Sequence, residues 1–254
     1  MKSIDINCDM GEVAESIADG TQESLMAYVS SVNIACGGHA GNAQMMTATI
    51  EQALRWKVAV GAHPGYADRA NFGRIELDID PEAVAESMFQ QVQALGEIAA
   101  GCGVRLAHVK PHGALYNQAV KNRELAAAIA EGVARWSRSV VLVALAGSPM
   151  LEVFREAGFA VAAEAFADRR YEADGTLRSR KFADALIRDP EEARRQALYS
   201  AADGRVITSD GSEIAVNAQT ICIHSDTPGA TRIAAAVANG LRQAGILLSA
   251  VTPS

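Results

Sequence analysis

A strand followed by a helix recurs about seven times along this sequence, and this order limits the possible folds more than any other feature. The strands are short and almost wholly apolar, as in the segments 57–62 and 140–146. Strands buried on both faces are typical of parallel sheets, because the connecting helices cover both sides of the sheet. We therefore predict a closed or nearly closed (β/α) barrel rather than an open doubly wound sheet.

Length and composition agree with one large core. The chain has 254 residues, 49% of them hydrophobic, and a single barrel fits that length as well as two smaller domains would. No composition shift or flexible linker divides it, so we expect one barrel domain over residues 1–254. The predicted strands are 3–7, 31–35, 57–62, 104–109, 140–146, 159–163 and 219–223.

Helix and turn signals fill the intervals between these strands. Amphipathic spacing predicts helices near 22–28, at 43–56 and at 124–136. An aspartate followed by proline is typical of a helix start, which predicts further helices after Asp80 and Asp189. The Asp210-Gly211 pair predicts a hairpin before the seventh strand.

The charge pattern excludes some classes of partner. The net charge is -7, and no run of Lys and Arg interleaved with aromatic residues occurs, which argues against nucleic acid and anionic membranes. The apolar runs are of strand length and the sequence begins without a signal-peptide core, so we expect a cytoplasmic protein. The sequence contains no P-loop, no dinucleotide-binding fingerprint and no GxSxG elbow.

Ionisable side chains gather at one topological end of the predicted strands. All five histidines lie at or just after a predicted strand end: His39, His63, His108, His112 and His224. Carboxylates follow the first, sixth and seventh strands: Asp9, Glu12, Glu164, Asp168 and Asp226. Because the carboxyl ends of parallel strands form one rim of a barrel, we expect these groups to converge there on an active site.

Two kinds of chemistry suit such a rim, and the spacing does not decide between them. Histidines and an aspartate could hold a divalent metal that activates water. They could equally act as general acid and base around a carbonyl, with Lys110 stabilising developing negative charge. An Asp9 carboxylate paired with His39 or His63 suits either chemistry. His108 lies inside a predicted strand, so we expect it to be structural.

The polar segments also carry a resemblance that spans nearly the whole chain. They read DINCDMGE (5–12), NIACGGHAG (33–41), GAHPGY (61–66), NFGR (71–74), HVKPHGALYN (108–117), EAFADRRY (164–171) and CIHSD (222–226). In these segments the chain resembles the LamB/YcsF family. It departs from the usual family pattern at Ile75, where a second arginine is common, and at Ser225, where glycine is common.

The resemblance implies a single seven-stranded (β/α) barrel of TIM-like type, related to carbohydrate deacetylases. It also implies one component of an ATP-dependent 5-oxoprolinase, which would hydrolyse 5-oxo-L-proline to L-glutamate together with partner subunits B and C. ATP would be handled largely by the partners, in keeping with the missing P-loop. An unstrained lactam is a poor electrophile, and phosphorylating its oxygen would give a much better leaving group.

The rim and the resemblance together give each candidate residue a role. The expected catalytic residues are Asp9, His39, His63, Lys110 and His112, with Asp9 as general base and Lys110 as electrostatic stabiliser. The expected substrate contacts are Asn7, Glu12, Arg74, Asp168 and Arg180. Whether the rim holds a divalent metal is open at this point. The alternative hypotheses are a stand-alone metal-dependent deacetylase acting on a carbohydrate amide, and a non-catalytic binding subunit.

Overall fold

Seven parallel strands, paired in a closed ring, form the centre of the protein. The computed structural model describes residues 2–253. The strands in chain order are β1 (Ser3–Met10), β2 (Ser31–Ala35), β3 (Ala59–His63), β4 (His108–Val109), β5 (Val141–Leu145), β6 (Ala160–Phe166), β7 (Arg205–Ile207), β8 (Glu213–Ala215), β9 (Thr220–Ile223) and β10 (Leu247–Leu248). The ring consists of β1 to β6 and β9, and it closes because β9 pairs with both β6 and β1. The predicted barrel is confirmed.

Helices cover the outside of the ring. Those described are α1 (Ala14–Ala18), α2 (Thr21–Met26), α3 (Ala43–Trp56), α4 (Pro81–Gly101), α5 (Gly113–Ala119), α6 (Arg123–Trp136), α7 (Met150–Glu156), α8 (Pro190–Leu198) and α9 (Ala230–Gln243). Both predicted Asp-Pro starts are confirmed, since the aspartate caps α4 and α8 and proline lies in the first turn. Across residues 2–253, no helix is both long and apolar enough to cross a membrane.

The remaining strands lie outside the ring. β7 and β8 form an antiparallel hairpin whose connection contains the predicted Asp210-Gly211 turn. β10 pairs in parallel with the start of β1. The rim at the carboxyl ends of the barrel strands is therefore formed by the loops that follow the ring strands.

Two barrel strands are longer than predicted. β1 continues to Met10 instead of ending at residue 7, and β6 continues to Phe166 instead of ending at residue 163. The polar residues in these extensions resemble the start of a loop when only the local sequence is considered. They belong to the strands because they point into the barrel and find polar partners there.

The strand predicted at 104–109 shows the largest shortening, and the helix predicted at 22–28 is also shorter. β4 contains only His108 and Val109, because Arg105 is exposed and the ladder to β3 and β5 begins only at Ala107. The predicted helix at 22–28 ends at Met26. A separate short helix, α1, precedes it in a segment with no clear amphipathic pattern.

A polar ladder rises through the barrel along β1. The side chains of Asp5, Asn7 and Asp9 alternate with apolar ones, as the two-residue period of a strand dictates. Asp5 accepts hydrogen bonds from the hydroxyls of Ser31 and Thr220 at 2.8 and 2.6 Å. Asn7 donates to the Thr220 hydroxyl at 2.7 Å. The ladder ends at Asp9, on the rim where the predicted site residues gather.

Candidate active site

A cleft of about 1040 Å³ opens at the carboxyl ends of the barrel strands. Ligand sites in proteins are commonly clefts of roughly 300–1,000 Å³, so its size suits a small molecule with space left at the mouth. The predicted site residues that line the cleft are Asp9, Glu12, His63, Arg74, Lys110, His112 and Arg180. The rim expected from the strand order is therefore present in the structure.

Lys110 is a buried ammonium held by two carboxylates. Its Nζ lies 3.1 Å from Asp9 Oδ1 and 2.9 Å from Glu164 Oε1. It also contacts Asn7 Oδ1 at 3.2 Å and the sulfur of Cys222 at 3.0 Å. Burial disfavours the charge, but Asp9, Cys222 and Glu164 outweigh it and hold the pKa of Lys110 well above its ordinary value. The side chain stays cationic and suits charge stabilisation rather than proton abstraction.

Asp9 forms an ion pair with His63 as well as with Lys110. Its Oδ2 lies 3.4 Å from His63 Nε2, and its Oδ1 accepts a hydrogen bond from Asn33 at 2.7 Å. Burial acts to raise the pKa of Asp9, but the charges of His63 and Lys110 hold it well below the usual range. Asp9 therefore remains an ionised carboxylate that anchors the two cations.

Three imidazoles and Glu12 form a compact cluster beside this ion pair. The rings of His39 and His112 stack with centroids 3.6 Å apart, and His112 Nδ1 lies 3.0 Å from His63 Nε2. Glu12 Oε1 lies 3.0 Å from His39 Nε2 and 3.4 Å from His112 Nδ1. One candidate ligand atom from each of the four residues lies within 4.8 Å of all the others. Burial, opposed by His112 and reinforced by Asp9, raises the pKa of Glu12.

The hydrogen bonds behind two of these imidazoles fix how the rings present their nitrogens. His63 Nδ1–H donates to the Lys110 carbonyl at 2.7 Å, and His112 Nε2–H donates to the Phe72 carbonyl at 2.9 Å. Metal-binding histidines typically use their second nitrogen in this way, which orients the ring. Burial lowers the pKa of His39 to about 2, so its ring is neutral. Burial acts in the same direction on His63, but Asp9 outweighs it and raises the pKa of His63, which would give up this proton to a bound metal. The donor set therefore fits a divalent cation, with nitrogen ligands of the kind that zinc and similar metals accept.

Glycines let the loop after β3 lie directly on the stacked histidines. Gly73 has φ +62°, and a Cβ placed there would be 2.8 Å from the Cβ of His39. Gly113 has φ +56°, and its Cβ would be 2.6 Å from the Gly73 carbonyl oxygen. The Asn-Phe-Gly-Arg segment therefore closes one side of the cluster because both backbones approach without side chains.

We expect Gly73→Ala to lower the free energy of unfolding more than Gly20→Ala does. Both positions have positive φ, so each alanine should cost about 1–2 kcal/mol in backbone strain. Gly73 is crowded, whereas no atom of residues 2–253 that could clash lies within 4 Å of a Cβ at Gly20. The clash with His39 should add about 1–3 kcal/mol, as overpacking does. Urea denaturation of both variants measures the difference, and equal losses would contradict the close packing of this loop.

Some predicted substrate contacts lie below the cleft surface. Asp168 is fully buried, and its carboxylate accepts hydrogen bonds from His224 and from the Thr227 hydroxyl. Asn7 is buried among Thr220, Glu164 and Lys110. Neither lines the cleft among the described residues, and both bond to neighbouring polar side chains.

The other predicted residues divide between the cluster and the mouth of the cleft. His39 belongs to the cluster but is covered by His112 and Phe72, so it does not face the cleft. Arg74 and Arg180 lie at the mouth, where both contact the carboxylate of Asp226. His108 stands apart inside the barrel, where its Nε2 pairs with Asn33 Oδ1 at 2.6 Å, in agreement with a structural role.

The two departures from the family pattern both reach the cleft. Ile75 is 50% exposed at its edge. Ser225 lines it and donates a hydrogen bond to the Asp9 carbonyl at 2.7 Å. Ser225 therefore ties the loop after β9 to the end of β1, which a glycine at this position could not do.

Three residues of the site have contacts that the sequence does not predict. Glu164 follows a predicted strand as a carboxylate, but its contact with Lys110 depends on the true end of β6. Cys222 has the pattern of a buried hydrophobe, yet its sulfur lies against the Lys110 ammonium. Arg169 lines the cleft and adjoins Asp168, although nothing in the sequence distinguishes it from Arg170.

A closed parallel barrel with imidazoles, carboxylates and an ammonium at the carboxyl ends of its strands defines an enzyme of the (β/α)-barrel class, with a site suited to hydrolysis. The chain belongs to the LamB/YcsF family, whose sequence model matches residues 4–254. The resemblance found in the polar segments is thereby confirmed.

Two relatives match along almost their whole length. The 5-oxoprolinase A subunit of Chloroflexus aggregans is 49% identical over 246 residues, covering 97% of this chain and 98% of the relative. The crystal structure of a lactam utilization protein from Thermus thermophilus is 42% identical, with TM-score 0.91, covering 98% of this chain and 100% of that one. Over nearly its whole length the chain is therefore similar to a 5-oxoprolinase subunit and to a lactam utilization protein.

A deacetylase shares the fold without close sequence similarity. The structure of T48 deacetylase with substrate is 16% identical, with TM-score 0.50, covering 98% of this chain and 88% of that one. Similarity at this level concerns the barrel alone. It confirms the expected relation in fold to deacetylases.

Proposed function

We propose that this chain is the A subunit of a 5-oxoprolinase, which opens the lactam of 5-oxo-L-proline to give L-glutamate at the expense of ATP, together with subunits B and C. The observation that carries the proposal is near-full-length identity of 49% to a protein of that name. The cleft adds support, since a buried ammonium, carboxylates and imidazoles are the groups that amide hydrolysis requires. The deacetylase alternative has only a likeness in fold behind it.

The geometry suggests different roles for Lys110, Asp9 and Glu12 in the hydrolytic step. Lys110 is cationic and lines the cleft, so it would stabilise negative charge that develops on the oxygen of the activated lactam. Asp9 would anchor Lys110 and His63 instead of serving as the base expected from the sequence, because a carboxylate held so firmly ionised accepts a proton poorly. Glu12 is the better base: its Oε2 accepts no hydrogen bond within residues 2–253, and the residue lines the cleft.

The imidazoles of His39, His63 and His112 would hold a divalent cation. Such a cation lowers the pKa of water and polarises a carbonyl. The three rings are preorganised for this because backbone carbonyls fix two of them and stacking fixes the third. Glu12 then lies beside the cluster with one oxygen left for a proton.

Metal content gives a prediction that does not depend on activity. We expect the purified chain, after incubation with Zn²⁺ or Mn²⁺ and gel filtration, to retain about one ion per chain. His112→Ala should retain far less, because it removes one of three nitrogen ligands. Glu76→Gln is the control, since Glu76 lines the same cleft and belongs to neither group of candidate metal ligands among the described residues. Wild-type protein that stays free of metal under these conditions would exclude the cation.

The test of the function itself is reconstitution. The chain mixed with subunits B and C, ATP and 5-oxo-L-proline should form glutamate and phosphate in equal amounts, and omitting any one protein should stop both. Glutamate formed by B and C alone at the full rate would overturn the proposal. Glutamate formed without ATP would overturn the proposed coupling of lactam hydrolysis to ATP hydrolysis.

A further inference from the structure

Arg169 is a guanidinium buried at the cleft. The residue is 5% exposed and lines the cleft. Its Nη2 donates to the Arg178 carbonyl at 2.8 Å, while its Nε is buried with no hydrogen-bond partner in the described chain. Among residues 2–253, no carboxylate forms a salt bridge with it. A buried cation in this state is unfavourable unless a ligand completes its contacts.

The surroundings of Arg169 have too few negative charges. The adjacent Asp168 is already bonded to His224 and Thr227. Arg180 lies near enough to matter, because burial and the charge of Arg180 together lower the pKa of Arg169 to about 10. Arg180 in turn shares the single carboxylate of Asp226 with a second arginine at the mouth. In this part of the cleft the guanidiniums of Arg74, Arg169 and Arg180 therefore share one lining carboxylate, that of Asp226, which leaves a positive excess.

The backbone around Arg169 is held rigidly, as a preorganised subsite requires. Its main chain pairs with Leu186 in an isolated bridge. The Gln196 side chain donates to the Arg169 carbonyl at 2.8 Å. These backbone contacts fix the position of the residue, and the hydrogen bond from Nη2 to the Arg178 carbonyl orients its side chain at the cleft.

We infer that Arg169 binds the carboxylate of the lactam substrate and sets the preference for an acidic lactam over a neutral one. The inference rests on the proposed function, because 5-oxo-L-proline carries one carboxylate on its ring. A guanidinium presents a planar fork that matches a carboxylate. A neutral lactam would leave the buried guanidinium unpaired, and sites of this kind discriminate strongly against such analogues.

A phosphoryl group would be the other anionic oxygen ligand in this reaction. The mouth suits it better, since the side chains of Arg74 and Arg180 are 40% and 30% exposed there. Arg169 lies deeper, with almost none of its surface in solvent. Its place in the cleft therefore favours a group carried by the substrate itself over one delivered from a partner subunit.

The test is a binding titration of three probes, 5-oxo-L-proline, neutral 2-pyrrolidinone and inorganic phosphate, with the chain alone and in its complex with B and C. Wild-type protein should prefer 5-oxo-L-proline to 2-pyrrolidinone. In Arg169→Met the affinity for 5-oxo-L-proline should fall roughly 10- to 100-fold, as expected for a lost charged hydrogen bond, and that for 2-pyrrolidinone should not. Arg169→Lys should recover part of the preference.

Arg170→Met is the matched control, because Arg170 is the same residue type one position along and pairs with Glu192 at 2.7 Å instead of lining the cleft. If Arg169→Met lost affinity equally for both lactams, the loop would be disordered. That result would overturn the inference about Arg169 and leave the proposed function intact. Loss of phosphate binding with an unchanged lactam preference would also overturn it, in favour of a phosphoryl subsite. Wild-type binding of neither lactam, together with no glutamate on reconstitution, would overturn the function and the carboxylate assignment together.

Discussion

Replacing Lys110 by methionine is expected to lower turnover by roughly 10²- to 10³-fold, the loss typical of removing one group that stabilises transition-state charge. Lys110 is 3% exposed, and its Nζ contacts Asp9 and Glu164. The substitution leaves Glu164 buried without its cation and Asp9 with His63 alone, so it should also lower the free energy of unfolding by about 3–5 kcal/mol. Turnover of the reconstituted complex and urea denaturation of the chain measure the two effects.

A second variant separates catalysis from folding. Lys110→Met combined with Glu164→Gln restores the charge balance of the buried cluster, because one negative charge is removed along with the positive one. Stability should recover in large part, whereas turnover should stay low because the ammonium is still missing. Turnover that recovers in step with stability would show that Lys110 is only structural.

Replacing Glu12 by glutamine is expected to lower turnover by roughly 10²- to 10⁴-fold, the usual contribution of a general base. Glutamine keeps the size of the side chain and can still contact His39, so the fold should be preserved. Glu76→Gln is the control, since Glu76 lines the same cleft but is exposed and outside the histidine cluster. The control should retain near-normal turnover in the reconstituted complex.

Metal content decides between two roles for Glu12. If Glu12 is the base, the glutamine variant should retain its metal while losing turnover. If the metal is lost together with turnover, Glu12 is a ligand and the base assignment is wrong. The distinction matters because Glu12 Oε1 lies against two imidazoles while Oε2 is left for another partner.

The architecture and the location of the site could be predicted from the order of the amino acids. Strands apolar on both faces must be covered on both sides, so the alternation of strands and helices predicted a parallel sheet and favoured a barrel, in which helices cover the outer face and the facing strands cover the inner one. Parallel strands end on the same rim, and this alone brought Asp9, His63 and His112 together before any contact was known. The Asp80 and Asp189 caps followed from local hydrogen bonding, which needs no tertiary information.

Which of these groups touch depends on how the barrel closes and could not be predicted. Lys110 meets Glu164 and Cys222 across separations of 54 and 112 residues, and those contacts follow from the pairing of β6 and β9 in the ring. A polar residue inside a strand has the local pattern of a loop, so Glu164 was predicted to follow the sixth strand, whereas it lies within β6. Arg169 and Arg170 are identical in type and adjacent in sequence, yet one lines the cleft and the other pairs with Glu192 on α8. That difference is set by the direction of the chain after β6, a property of the packed barrel and not of any local sequence pattern.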